Sequence, residues 1–139
     1  MVSNRKRNIA FMSTYPPREC GIATFTQDLV RELDNIELLN KPRVIAIDDR
    51  DYDYSKRVIM NLSQYDRRSY TKMADSINNS DIELLVIEHE YGIFGGEAGE
   101  NILDLAENLD IPFITTLHTV LPNPSSKQKE ILKILGEKS

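Results

Sequence analysis

Residues 9–33 have the sequence IAFMSTYPPRECGIATFTQDLVREL, in which a short apolar run is followed by a loop and then by an amphipathic pattern. The run at residues 9–13 is nearly continuous in apolar character, as expected of a strand that is buried on both faces. Beyond the loop, apolar residues recur at steps of three and four, which predicts a helix over about residues 21–33. A buried strand that leads into a helix with one apolar face is the repeating unit of a parallel α/β sheet.

The same alternation continues along the rest of the chain. Near-continuous apolar runs at residues 44–47, 84–87 and 112–117 predict three further buried strands, and residues 57–62 form a weaker, more exposed candidate. Three more segments carry helical spacing, with apolar residues at Tyr70, Met73, Ala74 and Ile77, at Ile102, Leu105, Ala106 and Leu109, and at Ile131, Leu132 and Leu135. The sequence therefore predicts one α/β domain over residues 1–139, a Rossmann-like doubly wound parallel sheet with helices on both faces.

The composition excludes several classes of protein. The chain has 139 residues, 17 Lys and Arg against 22 Asp and Glu, a formal net charge of −5 and 40% hydrophobic residues. This acidic balance argues against nucleic acid as a partner, because affinity for a phosphate backbone comes mainly from lysine and arginine. No apolar stretch approaches the roughly 18 residues that cross a bilayer, so we expect a soluble chain without a transmembrane segment. The single cysteine, Cys20, cannot form an internal disulfide and favours a reducing compartment such as the cytoplasm.

The first candidate site is the loop between the first strand and the first helix. Parallel sheets bind ligands at the carboxyl ends of their strands, which is where this loop begins. Gly21 stands at the start of the helix, where free backbone N–H groups suit a phosphate or a carboxylate. The same glycine is equally consistent with a helix-entry turn that only relieves crowding. The loop matches neither the Walker A pattern nor G-x-G-x-x-G.

The second candidate site is the loop at residues 88–99, which is unusually rich in functional side chains for a connector. It contains four glycines, three carboxylates and two aromatic rings. Tyr91 and Phe94 are able to stack on a sugar ring, and the carboxylates are able to accept hydrogen bonds from hydroxyls. In an extended segment His89 points away from Glu88 and Glu90, so these three residues are a poor ligand set and we expect no metal.

Two further features have two interpretations each. His118 follows the last predicted strand, where it either contacts a ligand in the crevice or caps the strand structurally. The four aspartates within residues 48–53 follow the second strand and form either a metal or ribose site or a solvated loop, with a spacing unlike that of a calcium loop. No G-x-S-x-G motif is present, so the sequence gives no indication of a serine nucleophile.

Three segments carry a resemblance to a known family. They are residues 11–23 (FMSTYPPRECGIA), residues 88–96 (EHEYGIFGG) and residues 115–119 (TTLHT). Together they resemble the N-terminal half of a family-4 retaining glycosyltransferase of the GT-B fold, of the kind labelled mannosyl- or glucosyltransferase. In that family two Rossmann-like domains face each other across a cleft, with the acceptor held mainly by the N-terminal domain and the nucleotide-sugar mainly by the C-terminal domain.

The resemblance implies roles for individual residues. Gly21 and Ile22 match a loop whose backbone lies near the donor diphosphate. His118, the implied catalytic residue, matches the histidine at the edge of the transfer site, close to the donor sugar. The residues that would border the acceptor side of the cleft are Glu90, Tyr91, Gly92, Phe94, Gly95 and Gly96. The implied partners are a nucleotide-sugar and a sugar or glycan acceptor, with no cofactor beyond the donor itself.

One part of the family pattern is absent. The family's C-terminal domain carries two glutamates with seven residues between them, and no glutamate pair in this chain has that separation. We therefore expect residues 1–139 to be a truncated acceptor-side domain that transfers no sugar by itself. Such a truncation would favour self-association through an exposed cleft edge. The residues expected at that edge are Tyr91, Ile93, Phe94 and Leu121.

The alternative is a free-standing doubly wound module that binds or regulates without catalysis. A phosphoacceptor receiver domain is one version of this alternative. It would carry an acidic pair directly after the first strand, where this chain has Thr14 and Tyr15. The sequence therefore disfavours that version and leaves other binding modules open.

Overall fold

The computed structural model describes residues 5–139 and contains five β-strands and four α-helices. The strands are β1 (Ile9–Ser13), β2 (Arg43–Asp48), β3 (Val58–Ser63), β4 (Leu84–His89) and β5 (Phe113–Leu117). The helices are α1 (Gly21–Leu33), α2 (Arg67–Asn78), α3 (Ile102–Asn108) and α4 (Ser126–Lys138). Two 3-10 turns, Tyr91–Ile93 and Glu97–Gly99, lie between β4 and α3.

The strands form one parallel sheet in the order β3-β2-β1-β4-β5. This is the order of a Rossmann-like doubly wound fold, so the predicted fold class is confirmed. Receiver domains place their strands in the order 2-1-3-4-5 instead. The topology therefore differs from that of the phosphoacceptor version of the alternative module.

Helices cover both faces of the sheet because alternate residues of each strand point to opposite sides. On one face, Phe11 of β1 packs with Val44, Val86 and Val30, the last of which belongs to α1. The other face carries a larger core, in which α2, α3 and α4 lie against β1, β2 and β4. Burying these apolar side chains contributes about 25 cal/mol for each Å² removed from water.

Local sequence determines where several of these elements begin. Asp66 caps α2 by accepting a hydrogen bond from the Arg68 N–H at 3.1 Å. Ser125 and Gln128 form the capping box at the start of α4. Strand β3 is an edge strand with alternating exposure, as expected from its weaker apolar pattern. Within residues 5–139, no helix is both long and apolar enough to cross a membrane.

Strand β4 is longer than the apolar run that predicted it. The run ends at Ile87, whereas the strand continues through Glu88 and His89, both fully buried. Hydrogen bonding to β5 extends to this point, with Glu88 beside Thr116 and His89 beside Leu117. The strand therefore carries two polar side chains into the interior at its carboxyl end.

Candidate functional site

The candidate site lies at the carboxyl edge of the sheet, where the strand order reverses between β1 and β4. Such a reversal leaves a crevice at the carboxyl ends of the two strands. Gly21 follows β1, Tyr91 follows β4 and His118 follows β5, so all three lie at this edge, as predicted. The backbone N–H of His118 donates to the carbonyl oxygen of His89 at 2.9 Å, which joins the ends of β4 and β5.

A buried carboxylate holds the imidazole of His118. Oε2 of Glu88 lies 2.6 Å from Nε2 of His118, and the Glu88 side chain is fully buried. Phe25 from α1 makes a T-shaped contact with the ring of His118, with the two ring centroids 4.9 Å apart. The carboxylate favours the tautomer with the proton on Nε2, which leaves Nδ1 as the ring nitrogen that can meet a ligand.

The N-terminus of α1 is open to solvent beside this pair. Cys20 caps the helix, and its Sγ accepts a hydrogen bond from the Ala23 N–H at 3.4 Å. Apart from its chain neighbours and the backbone of α1, no heavy atom lies within 4 Å of the position that a Cβ on Gly21 would occupy. The N–H groups of Gly21 and Ile22 precede the first intrahelical hydrogen bond, so they are available to an anion. The side chain of Ile22 packs against the larger core.

A hydroxyl pair fixes α1 against the sheet near this terminus. The Ser13 and Thr26 hydroxyl oxygens lie 2.8 Å apart and both side chains are fully buried. Ser13 is the last residue of β1, so the contact ties the helix to the strand end from which the first loop departs. The open helix terminus is therefore held in a defined position relative to the crevice.

The glycine-rich loop after β4 is held by close backbone contacts. A Cβ on Gly95 would lie well within 3.0 Å of the Gln64 carbonyl oxygen and 2.9 Å from Nδ2 of Asn101. Gly96 has a φ of 83°, in the left-handed region that favours glycine. Oε2 of Glu90 accepts a hydrogen bond from the Gly92 N–H at 2.7 Å. Gly95 and Gly96, both predicted on the acceptor side, therefore have a structural reason to be glycine that does not depend on a ligand.

The aromatic rings of this loop are buried, so the exposed apolar patch predicted at Tyr91, Ile93, Phe94 and Leu121 is wrong for the first three residues, and Leu121 is half-buried. The exposed fractions of Tyr91, Ile93 and Phe94 are 7%, 6% and 3%. Phe94 stacks on His89 with centroids 5.7 Å apart, and Tyr91 meets the same ring edge-on at 5.1 Å. The two 3-10 turns fold these rings back against the core, an arrangement that glycine content alone did not indicate. At the surface, the loop presents Gly92 and Gly96 instead.

Several polar atoms are buried at this edge without a protein partner. Among the described residues, every such side-chain atom belongs to Glu88 or His89 at the end of β4, to Tyr91 just after it, or to Thr115 within β5. Buried polar atoms normally have a partner, so this concentration of unpartnered atoms is unusual for a folded domain. Burial lowers the pKa of His89 to about 4, with a smaller contribution from His118, so its imidazole is neutral near pH 7. Burial, followed by the charge of Glu90, raises the pKa of Tyr91.

The sequence analysis did not predict a hydrogen-bond network that joins the loops around the site. Nη1 of Arg18 donates to the Ile47 carbonyl oxygen at 3.0 Å and to Oε1 of Gln64 at 3.1 Å. Nε2 of Gln64 donates in turn to the Gly92 carbonyl oxygen at 3.0 Å. Tyr70 donates to the Gln64 carbonyl oxygen and accepts from the Gly95 N–H. No local pattern marks these residues, because the contacts that join the loops span 25 to 46 positions.

The aspartates after β2 belong to a different part of the edge. Asp48 is buried and accepts hydrogen bonds from the Tyr54 hydroxyl and, at 2.7 Å, from Nδ2 of Asn61. Burial, followed by the contact with Asp48, raises the pKa of Tyr54. Asp49, Asp51 and Asp53 are exposed. Asp48 is therefore engaged by protein groups, and Asp49 accepts a hydrogen bond from the Tyr52 hydroxyl at 2.7 Å. Asp51 and Asp53 conform to the solvated-loop interpretation.

Comparisons of the chain with protein-family models, curated proteins and solved structures gave no match. Function is therefore inferred from the residues and geometry of this edge.

Proposed function

We propose that this chain is the acceptor-side Rossmann-like domain of a retaining glycosyltransferase that moves a sugar from a nucleoside diphosphate carrier to a hydroxyl. The observation that carries the proposal is the placement of an open helix N-terminus and a carboxylate-held histidine at one sheet edge. These are the chain's Gly21–Ile22 backbone and its Glu88–His118 pair. The resemblance of the three loop segments supports the same function.

In this proposal the α1 N-terminus stabilises the leaving diphosphate. Negative charge grows on the diphosphate as its bond to the sugar breaks. The N–H groups of Gly21 and Ile22 and the positive end of the helix dipole would face that charge without rearranging. The absence of a side chain at Gly21 lets the phosphate approach the backbone.

His118 would orient the sugar that is transferred. With Nε2 directed at Glu88, Nδ1 is free to form a hydrogen bond with a sugar hydroxyl in the crevice. Because Glu88 is fully buried, it acts on the sugar only through His118 and is a positioning residue. The Phe25 contact restricts rotation of the imidazole, which reduces the ordering cost when a ligand binds.

The acceptor would lie along the loop from Glu90 to Gly96. Its surface positions, Gly92 and Gly96, allow close backbone approach, while Tyr91, Phe94 and Gly95 hold the shape of the loop from inside. A second Rossmann-like domain would supply most of the donor contacts. The chain alone is then expected to give no sugar transfer, and the proposal places it in the cytoplasm with nucleotide-sugars.

A nuclear magnetic resonance titration tests this function. The ¹⁵N-labelled chain is titrated with uridine-, guanosine- and adenosine-diphosphate sugars up to about 20 mM, which detects millimolar affinity. At least one donor should shift the amides of Gly21 and Ile22 together with the His118 imidazole. A Gly21→Val variant, with a branched side chain at the open terminus, should lose these shifts and keep its fold. Shifts confined to other surfaces, or none with any donor, would favour the free-standing module.

A further inference from the structure

A cationic cavity of about 500 Å³ lies on the face of the sheet that α1 covers. Its walls come from the second half of α1, the start of β2 and the segment that enters β3. The five charged residues that line it are all basic, namely Arg31, Lys41, Arg43, Lys56 and Arg57. The cavity does not include Gly21, Gly92 or His118, so it is separate from the candidate site.

Nearby carboxylates balance only part of this charge. Arg57 makes a bidentate pair with Asp34, with nitrogen–oxygen distances of 2.6 and 2.7 Å. Arg43 pairs with Asp81 at 2.7 Å. The Arg57 contact, with a smaller effect from Lys41, lowers the pKa of Asp34, so this carboxylate is ionised and already bound.

Three cations make no ion pair with a carboxylate in the described part of the chain. They are Arg31, Lys41 and Lys56, all with exposed side chains. Arg31 stands in the last turn of α1, where a cation also offsets the helix dipole, but this reason does not extend to the two lysines. In a chain whose net charge is −5, the convergence of three unpaired cations on one concavity creates a local positive potential.

We propose that this cavity binds a ligand through a phosphate group. Arg31, Lys41 and Lys56 would surround the phosphate, and the Ser55 hydroxyl and Gln27 amide would donate further hydrogen bonds. The volume matches that of pockets for small molecules and head groups. The phosphate comes either from a free phosphorylated small molecule or from a lipid head group. This site is independent of the glycosyltransferase proposal.

Inorganic pyrophosphate is the first probe, with binding measured by calorimetry and mapped by amide shifts on the 139-residue chain. The test variant combines Arg31→Gln, Lys41→Gln and Lys56→Gln, which removes three charges and leaves the Arg57–Asp34 and Arg43–Asp81 pairs intact. The matched control combines Lys72→Gln, Lys133→Gln and Lys138→Gln, three exposed lysines away from the cavity, for the same change in net charge. Far-ultraviolet circular dichroism confirms that both variants are folded.

The expected result is binding with shifts at residues 27–31, 41–43 and 55–57. The test variant should lose about tenfold in affinity, because three exposed charge contacts are removed, while the control changes affinity by less than about twofold. Equal loss in both variants would overturn the proposal, because it would show unspecific attraction. Shifts located elsewhere, or no binding of either probe by the wild-type chain, would also overturn it.

Vesicles are the second probe and distinguish the two sources of phosphate. Sedimentation is compared between vesicles of phosphatidylcholine alone and vesicles with about a quarter of phosphatidylglycerol. Binding to the anionic vesicles that the test variant loses and the control keeps would assign the site to a lipid head group. Pyrophosphate binding without sedimentation would assign it to a free phosphorylated molecule. The amides mapped in this test do not include Gly21 or His118. If the cavity binds neither probe, the glycosyltransferase proposal is therefore unaffected and is tested only by the titration with nucleotide-sugars.

Discussion

Gly95→Ala is the substitution that most sharply probes how the glycine-rich loop is held. The added methyl would lie well within 3.0 Å of the Gln64 carbonyl oxygen and 2.9 Å from Nδ2 of Asn101. The loop has little freedom to retreat, because the Gly95 N–H donates to the Tyr70 hydroxyl at 3.0 Å and its carbonyl accepts from the Asn101 N–H at 3.0 Å. Relief of the clash must therefore break at least one of these hydrogen bonds.

The expected destabilisation is the sum of two effects. Overpacking a rigid interior site costs about 1–3 kcal/mol, and losing the buried hydrogen bond with Tyr70 costs about 1 kcal/mol more. Together they lower the free energy of unfolding by about 2–4 kcal/mol. An ordinary domain has a free energy of unfolding of about 5–15 kcal/mol, so this loss is a large part of it. With a urea dependence of about 2 kcal/mol per molar, the unfolding midpoint should fall by about 1–2 M.

Urea unfolding followed by circular dichroism measures this shift, and Gly136→Ala is the matched control. Gly136 lies within α4, and no atom lies within 4 Å of the position that its added methyl would take, so alanine there should stabilise the chain by up to about 1 kcal/mol. A midpoint for Gly95→Ala equal to that of the wild-type chain would refute the claim that the loop is rigidly held. So would equal destabilisation by the two substitutions.

Two further predictions concern the buried polar groups. His89 has a pKa of about 4 in the folded chain and of 6.5 in the unfolded chain. As the pH drops from 6.5 towards 4, the unfolded chain therefore takes up the proton before the folded chain does, and the free energy of unfolding falls. His89→Leu should remove about 2 kcal/mol of the stability loss between pH 7 and pH 5 in urea unfolding, and an unchanged pH dependence would contradict this. Glu88→Leu should abolish the preference of His118 for the Nε2–H tautomer in ¹⁵N spectra, and identical tautomer populations in both chains would contradict the positioning role.

The sequence predicted the fold well because apolar periodicity reports burial directly. The runs that begin β1, β2 and β4 are long enough to identify buried strands, and the helical spacing of residues 21–33 matches α1. Periodicity carries no information about a polar residue that is buried, so the extension of β4 through Glu88 and His89 was not predicted. Their burial depends on pairing with β5 and, for His89, on the rings of Tyr91 and Phe94, which the local sequence does not describe.

The candidate site was predicted only in part. Following each buried strand to its end located Gly21, Tyr91 and His118 at one edge, because parallel strands share their carboxyl ends. The contact between Glu88 and His118 joins residues 30 positions apart, and the Arg18–Gln64 contact joins residues 46 apart. Such pairs follow from the tertiary fold. The burial of Phe94 likewise follows from two 3-10 turns rather than from its loop composition.

A crystal structure of the chain with a nucleoside-diphosphate sugar that binds in the titration tests the central claim most directly. The proposal predicts diphosphate density at the Gly21 and Ile22 N–H groups, at hydrogen-bond distances of about 2.7–3.2 Å. It also predicts a sugar hydroxyl at the same distance from Nδ1 of His118, with Nε2 still on Glu88. Diphosphate bound only in the cavity beside Arg31 and Lys56, with the carboxyl edge of the sheet empty, would contradict the claim.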